Sequence, residues 1–140
     1  MTREMLLPTA AAAARTVSLQ NHLALVALRQ GQGNIDLAGE LLKTVYLTHL
    51  LRDPENAHAT LENVIAAEQG LKGSILDAAI TGKWILSEID CQAIQTVLEL
   101  YDAQLAAVPV HRIVAAKARL SRILEGGDFP NLAETFRADN

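Results

Sequence analysis

Apolar residues recur at three- and four-residue steps along most of the chain, and this spacing predicts helices. The clearest pattern lies between Ser87 and Val108, where polar side chains occupy the opposite face from Glu88 to Asp102. The apolar positions of this segment are Cys91, Ile94, Leu98, Tyr101, Leu105 and Val108. A segment divided in this way is expected to form an amphipathic helix with its apolar face on the core.

Capping and terminating residues place the ends of five predicted helices. Asn34 and Ser87 are good N-caps, Pro109 fits a first helical position, and glycines follow the apolar runs at Gly31 and Gly82. The predicted segments are 18–30, 34–53, 56–80, 87–108 and 109–125. The alanine run before Ser18 could extend the first helix back to about Thr9. The third segment contains Gly70 and Gly73, and because each costs about 1 kcal/mol inside a helix, a kink or break is predicted there.

The short linkers predict that neighbouring helices pack antiparallel in a single all-α bundle of about five helices. We expect residues 1–17 to form a flexible or partly helical arm, residues 18–127 the helical bundle, and residues 128–140 a tail.

The first and second predicted helices carry apolar residues on more than one face. In the first, Leu19, Leu23 and Val26 share one side while Leu25 and Leu28 lie on another, so the helix is expected to be covered on two faces. The second helix is apolar nearly all round. It is therefore expected either at the centre of the fold or in contact with another chain.

Composition excludes several classes of protein. Half of the 140 residues are hydrophobic, which excludes global disorder, yet no run approaches the roughly 20 apolar residues of a membrane span. The apolar stretch Met5–Leu7 is interrupted by Pro8 and is too short for a secretory signal. The single cysteine, Cys91, fits a reducing compartment. A cytoplasmic location is the expectation.

The fifth helix is basic in a chain whose net charge is −4. Residues 109–125 hold four basic residues and one acid, whereas residues 34–102 hold eleven acids and four bases. Helical geometry places His111, Arg112, Arg119 and Arg122 within one sector of about 100°. We predict that this face contacts phosphates or an acidic protein surface. One alternative is that it is an ordinary solvated face. Another is that acids of the second or fourth helix neutralise it, with Glu99 and Asp102 of the preceding helix as natural partners.

No residue set in the chain carries a catalytic, cofactor or metal motif. Glu55 and His58 form a single Glu-x-x-His element, whereas di-iron bundles require two such elements and further carboxylates. His49 shares a face with core positions, which is typical of a hydrogen-bonded core histidine. Cys91 belongs to an apolar stripe and has acidic neighbours, which favours an inert thiol. The sequence predicts a protein that is not an enzyme.

Residues 18–25 (SLQNHLAL) and 41–47 (LLKTVYL) resemble segments of small all-helical proteobacterial proteins that are labelled Fis-like transcriptional regulators. This resemblance implies a regulatory role. The leading interpretation is a non-catalytic helical interaction module, expected to be a homodimer or larger oligomer acting as a regulator or adaptor. The first alternative is a nucleic-acid-binding regulator that uses Arg112, Arg119 and Arg122, although the net negative charge opposes it. The second is a small-molecule or metal-binding bundle with a pocket around His49.

Overall fold

The protein is described by a computed structural model that covers residues 2–126, with the side chains of 56–59 excepted. The described residues form five helices and no strand, so the predicted all-α bundle is confirmed. The helices are α1 (Ala11–Arg29), α2 (Ile35–Leu50), α3 (Ala57–Thr81), α4 (Glu88–Ala107) and α5 (Val110–Glu125). Single 3-10 turns precede α1 at Glu4–Leu6 and α3 at Pro54–Asn56.

The helix ends follow from local hydrogen bonding. The Asn34 side chain accepts from the Leu37 amide at 2.9 Å, and the Ser87 hydroxyl accepts from the Asp90 amide at 3.1 Å. Each cap satisfies an amide that has no partner within its helix. After α1 the chain turns at Gly31, whose φ of +77° favours glycine because it lies in the left-handed region.

The N-terminal arm is partly helical. The alanine run belongs to α1, so the first helix extends back from Ser18 to Ala11. The residues before it lie against the start of α5, where the Val110 amide donates to the Leu7 carbonyl at 2.9 Å and Pro8 forms an isolated bridge with Pro109. The predicted tail, 128–140, lies outside the described residues.

Helix α2 lies at the centre of the fold and contacts all four other helices. Nearly every residue from Leu41 to His49 is buried. Of the two explanations for its all-round apolar surface, central burial is therefore confirmed. The core side chains that surround it come chiefly from Leu25, Leu28, Val64, Leu71, Ile94, Val97, Leu98 and Tyr101.

Within residues 2–126, helix α1 is covered on one face, so the described part of the chain does not supply the second covered face that was predicted. Leu25 and Leu28 are buried, whereas Leu19, Leu23 and Val26 are exposed. The physical reason is that α2 and α4 both pack against the side that carries Leu25 and Leu28. No described residue covers the other side.

Helix α5 does not pack antiparallel along α4, contrary to the prediction. Val108 and Pro109 are extended, with ψ values of 131° and 143°, and they redirect the chain so that α5 lies on α2 and the N-terminal turn. Pro109 is the N-cap of α5 rather than its first residue. Ile113 and Leu120 face the core, whereas Val114 and Ile123 are exposed.

Helix α3 is continuous through Gly70 and Gly73, so the predicted break does not occur. Gly70 is buried where α3 approaches α4, and a Cβ built on it would lie 2.9 Å from the Cβ of Asp90. A Cβ on Gly73 would meet nothing within 4 Å. The first glycine thus permits a close helix–helix approach, while the second is an exposed position without such a constraint.

This difference predicts opposite effects for two alanine substitutions in one helix. Gly70→Ala should lower the free energy of unfolding by about 1–2 kcal/mol, because the cost of overpacking exceeds the gain in helix propensity. Gly73→Ala should raise it by about 0.5–1 kcal/mol through propensity alone. Urea unfolding of both variants measures the difference. Equal stabilisation by the two would contradict the close approach of α3 to Asp90.

Candidate functional site

The three arginines of the predicted basic face are all exposed on α5. Arg112, Arg119 and Arg122 make no ion pair with any residue between 2 and 126 whose side chain is described, and His111 is half-buried beside them. The face is therefore open to solvent rather than folded against the protein.

Glu99 and Asp102 do not neutralise this face, so that alternative is wrong. Asp102 turns to α1, where its Oδ2 accepts from the Ser18 hydroxyl at 2.9 Å and lies 3.0 Å from Nε2 of His22. Glu99 is exposed and accepts from Gln95 on its own helix at 3.3 Å. The reason is the path of the chain, since α5 packs on α2 and not beside these acids.

Two of the arginines border a small hollow at the junction of α5 and the end of α2. Its volume is about 210 Å³. The lining residues, which define the arginine hollow, are Leu50, Leu51, Arg112, Ala115, Ala116 and Arg119. Arg122 is not among them. The hollow thus combines an apolar floor with two guanidinium groups.

His49 lies in the core beside this hollow. Arg52 Nη1 is 3.3 Å from its Nε2 and donates to its backbone carbonyl at 2.8 Å. Burial lowers the pKa of His49 to about 4, and the positive charges of Arg52 and Arg119 act in the same direction. The imidazole is therefore neutral near pH 7 and accepts at Nε2 from the Arg52 guanidinium.

In the described part of the chain, no group of three or more His, Cys, Asp or Glu side chains is placed to hold a metal ion. Burial raises the pKa of the Cys91 thiol, and Glu88 and Asp90 add to this effect while Arg29 opposes it. A thiol held protonated in this way is a poor nucleophile. The side chain of His58 lies outside the described residues.

The second candidate surface is the outward side of α1, which we call the outer stripe. Leu19, Leu23 and Val26 are 61%, 57% and 45% exposed and follow one another at four- and three-residue steps. The sequence pattern indicates this stripe but predicts that it is covered. Both sides of α1 are apolar, so periodicity alone could not say which side meets α2 and α4.

A buried polar pair was missed altogether. Glu68 of α3 is 1% exposed, and the hydroxyl of Tyr46 on α2 hydrogen-bonds its carboxylate. Lys72 Nζ lies 3.5 Å from the same carboxylate. The signal was present in the sequence, because Glu68 follows the inward positions Leu61 and Val64 by seven and four residues.

Two larger grooves flank α2. One, of about 610 Å³ between α2 and α3, has apolar walls that include Ile35, Ile75 and Leu76. The other, of about 660 Å³, lies among α1, α2 and α5. Lys43, at the edge of both grooves, already pairs with Glu40 at 3.3 Å.

No described helix is both long enough and apolar enough to cross a membrane. Comparison of the chain with protein families, with curated proteins and with solved structures gives no significant match.

Proposed function

We propose that the protein is a non-catalytic helical interaction module that self-associates, with a regulatory or adaptor role. The outer stripe of α1 carries this proposal. Its three aliphatic side chains lie opposite the side of α1 that packs on α2 and α4, and they are at least 45% exposed. Contiguous apolar surface of this kind commonly marks a protein–protein contact.

The spacing of the outer stripe fits pairing with a second helix. Steps of four and three residues alternate along α1 and its C-cap. The positions are Ala12, Thr16, Leu19, Leu23, Val26 and Gln30. This alternation is the pattern of a coiled-coil seam, in which such positions meet their counterparts on a partner helix. The aliphatic residues occupy the middle of the seam, and smaller or polar residues occupy its ends.

The free energy gained by burying the outer stripe predicts reversible association. Burying the exposed half of one such side chain contributes about 1 kcal/mol, so six in a symmetric pair contribute about 6 kcal/mol. Association costs about 4–15 kcal/mol in translational and rotational freedom. The stripe alone therefore supports a concentration-dependent dimer rather than a permanent one.

Leu23→Arg should abolish this dimer, because it places a charge at the centre of the seam. Light scattering coupled to size exclusion should show the wild-type mass rising with protein concentration and the variant remaining monomeric. Leu76→Arg is the matched control, since Leu76 is also 61% exposed but lies on α3. It should associate as the wild type does.

Two outcomes would contradict the proposal. One is a wild-type protein that stays monomeric up to about 1 mM, where the binding free energy would be weaker than about −4 kcal/mol. The other is equal loss of association in the Leu23 and Leu76 variants, which would point to a general effect of added charge. Circular dichroism should first show that both variants keep their helical content.

A second candidate function, a nucleic-acid-binding regulator, is favoured by one observation. Arg112, Arg119 and Arg122 form no ion pair with a described residue and so are available to phosphates. Binding to a mixed-sequence duplex should then be salt-dependent and lost when all three become alanine. Absence of binding at about 50 mM salt would reject this function, since non-specific affinity is greatest at low salt.

A further inference from the structure

The arginine hollow is shaped by the spacing of residues along α5. Arg112 and Arg119 are seven residues apart, so they lie on one line of the helix about 10 Å apart. Ala115 and Ala116 lie between them on the same side, and their small side chains leave the hollow open. Leu50 and Leu51 at the end of α2 form the facing wall. Two flexible guanidinium groups can therefore converge on a group seated between them.

The charge of the hollow is positive and is not compensated within the described part of the chain. Arg112 and Arg119 have no acidic partner there. Arg52, the residue after Leu51, adds a third guanidinium nearby and is held in place by its bond to the His49 carbonyl. An anionic group entering the hollow would find charged donors on both sides of an apolar floor.

We propose that the arginine hollow binds a glutamate or aspartate carboxylate from an acidic, partly aliphatic segment of a protein partner. Arginine matches a carboxylate with two parallel hydrogen bonds, and the leucine and alanine floor suits the aliphatic stem or a neighbouring apolar residue. A nucleic acid fits less well. Its phosphates would gain little from an apolar floor, and the net charge of −4 repels a long, densely charged polyanion more than a short acidic segment.

This surface is separate from the outer stripe, so it goes beyond self-association. The hollow lies on α5 and the end of α2, whereas the stripe lies on α1. The Leu23→Arg variant should therefore bind the acidic partner as the wild type does. If light scattering shows no self-association, the proposal for the arginine hollow still stands. If no peptide binds at the hollow, the proposal of a dimer still stands.

The test uses three labelled probes in fluorescence anisotropy at about 50 mM salt, where screening is modest. The first is a short peptide with glutamate–leucine pairs, the second has glutamine in place of each glutamate, and the third is a mixed-sequence DNA duplex. Arg112→Gln and Arg119→Gln should each weaken binding of the glutamate peptide about tenfold, which is the effect of losing one charged hydrogen bond.

Arg122→Gln is the matched control, because it removes the same charge from the same helix but lies outside the hollow. It should change the affinity by less than about twofold, as expected for an exposed charge at the edge of a contact. Ala115→Glu, at an exposed position between the two arginines, should place a carboxylate in the hollow and abolish binding without disturbing the core.

Several results would overturn the proposal. They are equal loss of affinity in all three arginine variants, equal binding of the glutamine peptide, or no binding of the glutamate peptide. Tighter binding of the duplex than of the glutamate peptide would also overturn it and would favour a nucleic-acid partner.

Discussion

Replacing Tyr46 by phenylalanine is expected to lower the free energy of unfolding by about 2–3 kcal/mol. Tyr46 and Glu68 are 2% and 1% exposed, and the tyrosine hydroxyl donates a hydrogen bond to the glutamate carboxylate. Burial and the Glu68 charge raise the pKa of Tyr46, so the hydroxyl remains a donor. Removing it leaves the carboxylate buried with one donor fewer, and a buried charge depends strongly on each hydrogen bond.

A double substitution distinguishes loss of the hydrogen bond between Tyr46 and Glu68 from simple loss of packing. Glu68→Met removes the charge with little change in size, so the Tyr46→Phe/Glu68→Met protein has neither the buried carboxylate nor its donor. It should recover most of the stability lost in Tyr46→Phe, because apolar replacement of both partners is often neutral or stabilising. Urea unfolding of the two single variants and the double variant gives the coupling energy. Additive losses, with no recovery, would contradict the contact.

Acid is expected to destabilise the protein by about 3 kcal/mol through His49 alone. The folded-state pKa of His49 is lowered to about 4, whereas an unfolded histidine has a pKa near 6.5. The unfolded state therefore binds a proton first as the pH falls. The contribution of neutral His49 to the free energy of unfolding is fully present above pH 6.5. It declines as the pH falls from 6.5 towards 4, and below that pH the loss levels off.

His49→Gln isolates this effect, because glutamine does not titrate and its amide oxygen can still accept from Arg52. The free energies of unfolding of wild type and variant should be compared at pH 7, 5.5 and 4.5. Carboxylate protonation affects both proteins alike, so their difference reports His49. Between pH 7 and pH 4.5, the free energy of unfolding of the wild type should fall by about 2–3 kcal/mol more than that of the variant. Identical pH profiles would show that His49 titrates normally.

Much of the local structure could be read from the sequence because it depends on residues close together in the chain. The caps at Asn34 and Ser87 each need only an amide three residues ahead, and both form as predicted. The buried face of α4 follows from a single apolar stripe with polar residues opposite. His49 and Cys91, both placed on apolar faces by the sequence, are buried.

The candidate surfaces were predicted less completely, since each depends on how two helices meet. The sequence placed Arg112 and Arg119 on one face of α5 but gave no sign that Leu50 and Leu51 lie beside them. It also suggested that Glu99 and Asp102 neutralise that face. The extended residues Val108 and Pro109 instead carry α5 onto α2, which leaves the arginines open and Asp102 bound to α1.

The sequence by itself determined that this protein is an all-α bundle, where its helices begin and end to within several residues, and that α5 is basic. These properties follow from periodicity, capping and charge, which act over a few residues. Only the tertiary structure decided which side of α1 is exposed, that α3 is continuous through Gly70, and where the arginine hollow forms. Those outcomes depend on contacts between distant segments. A helix with two apolar sides satisfies the same local rules whichever side is buried, and packing against α2 and α4 makes the choice.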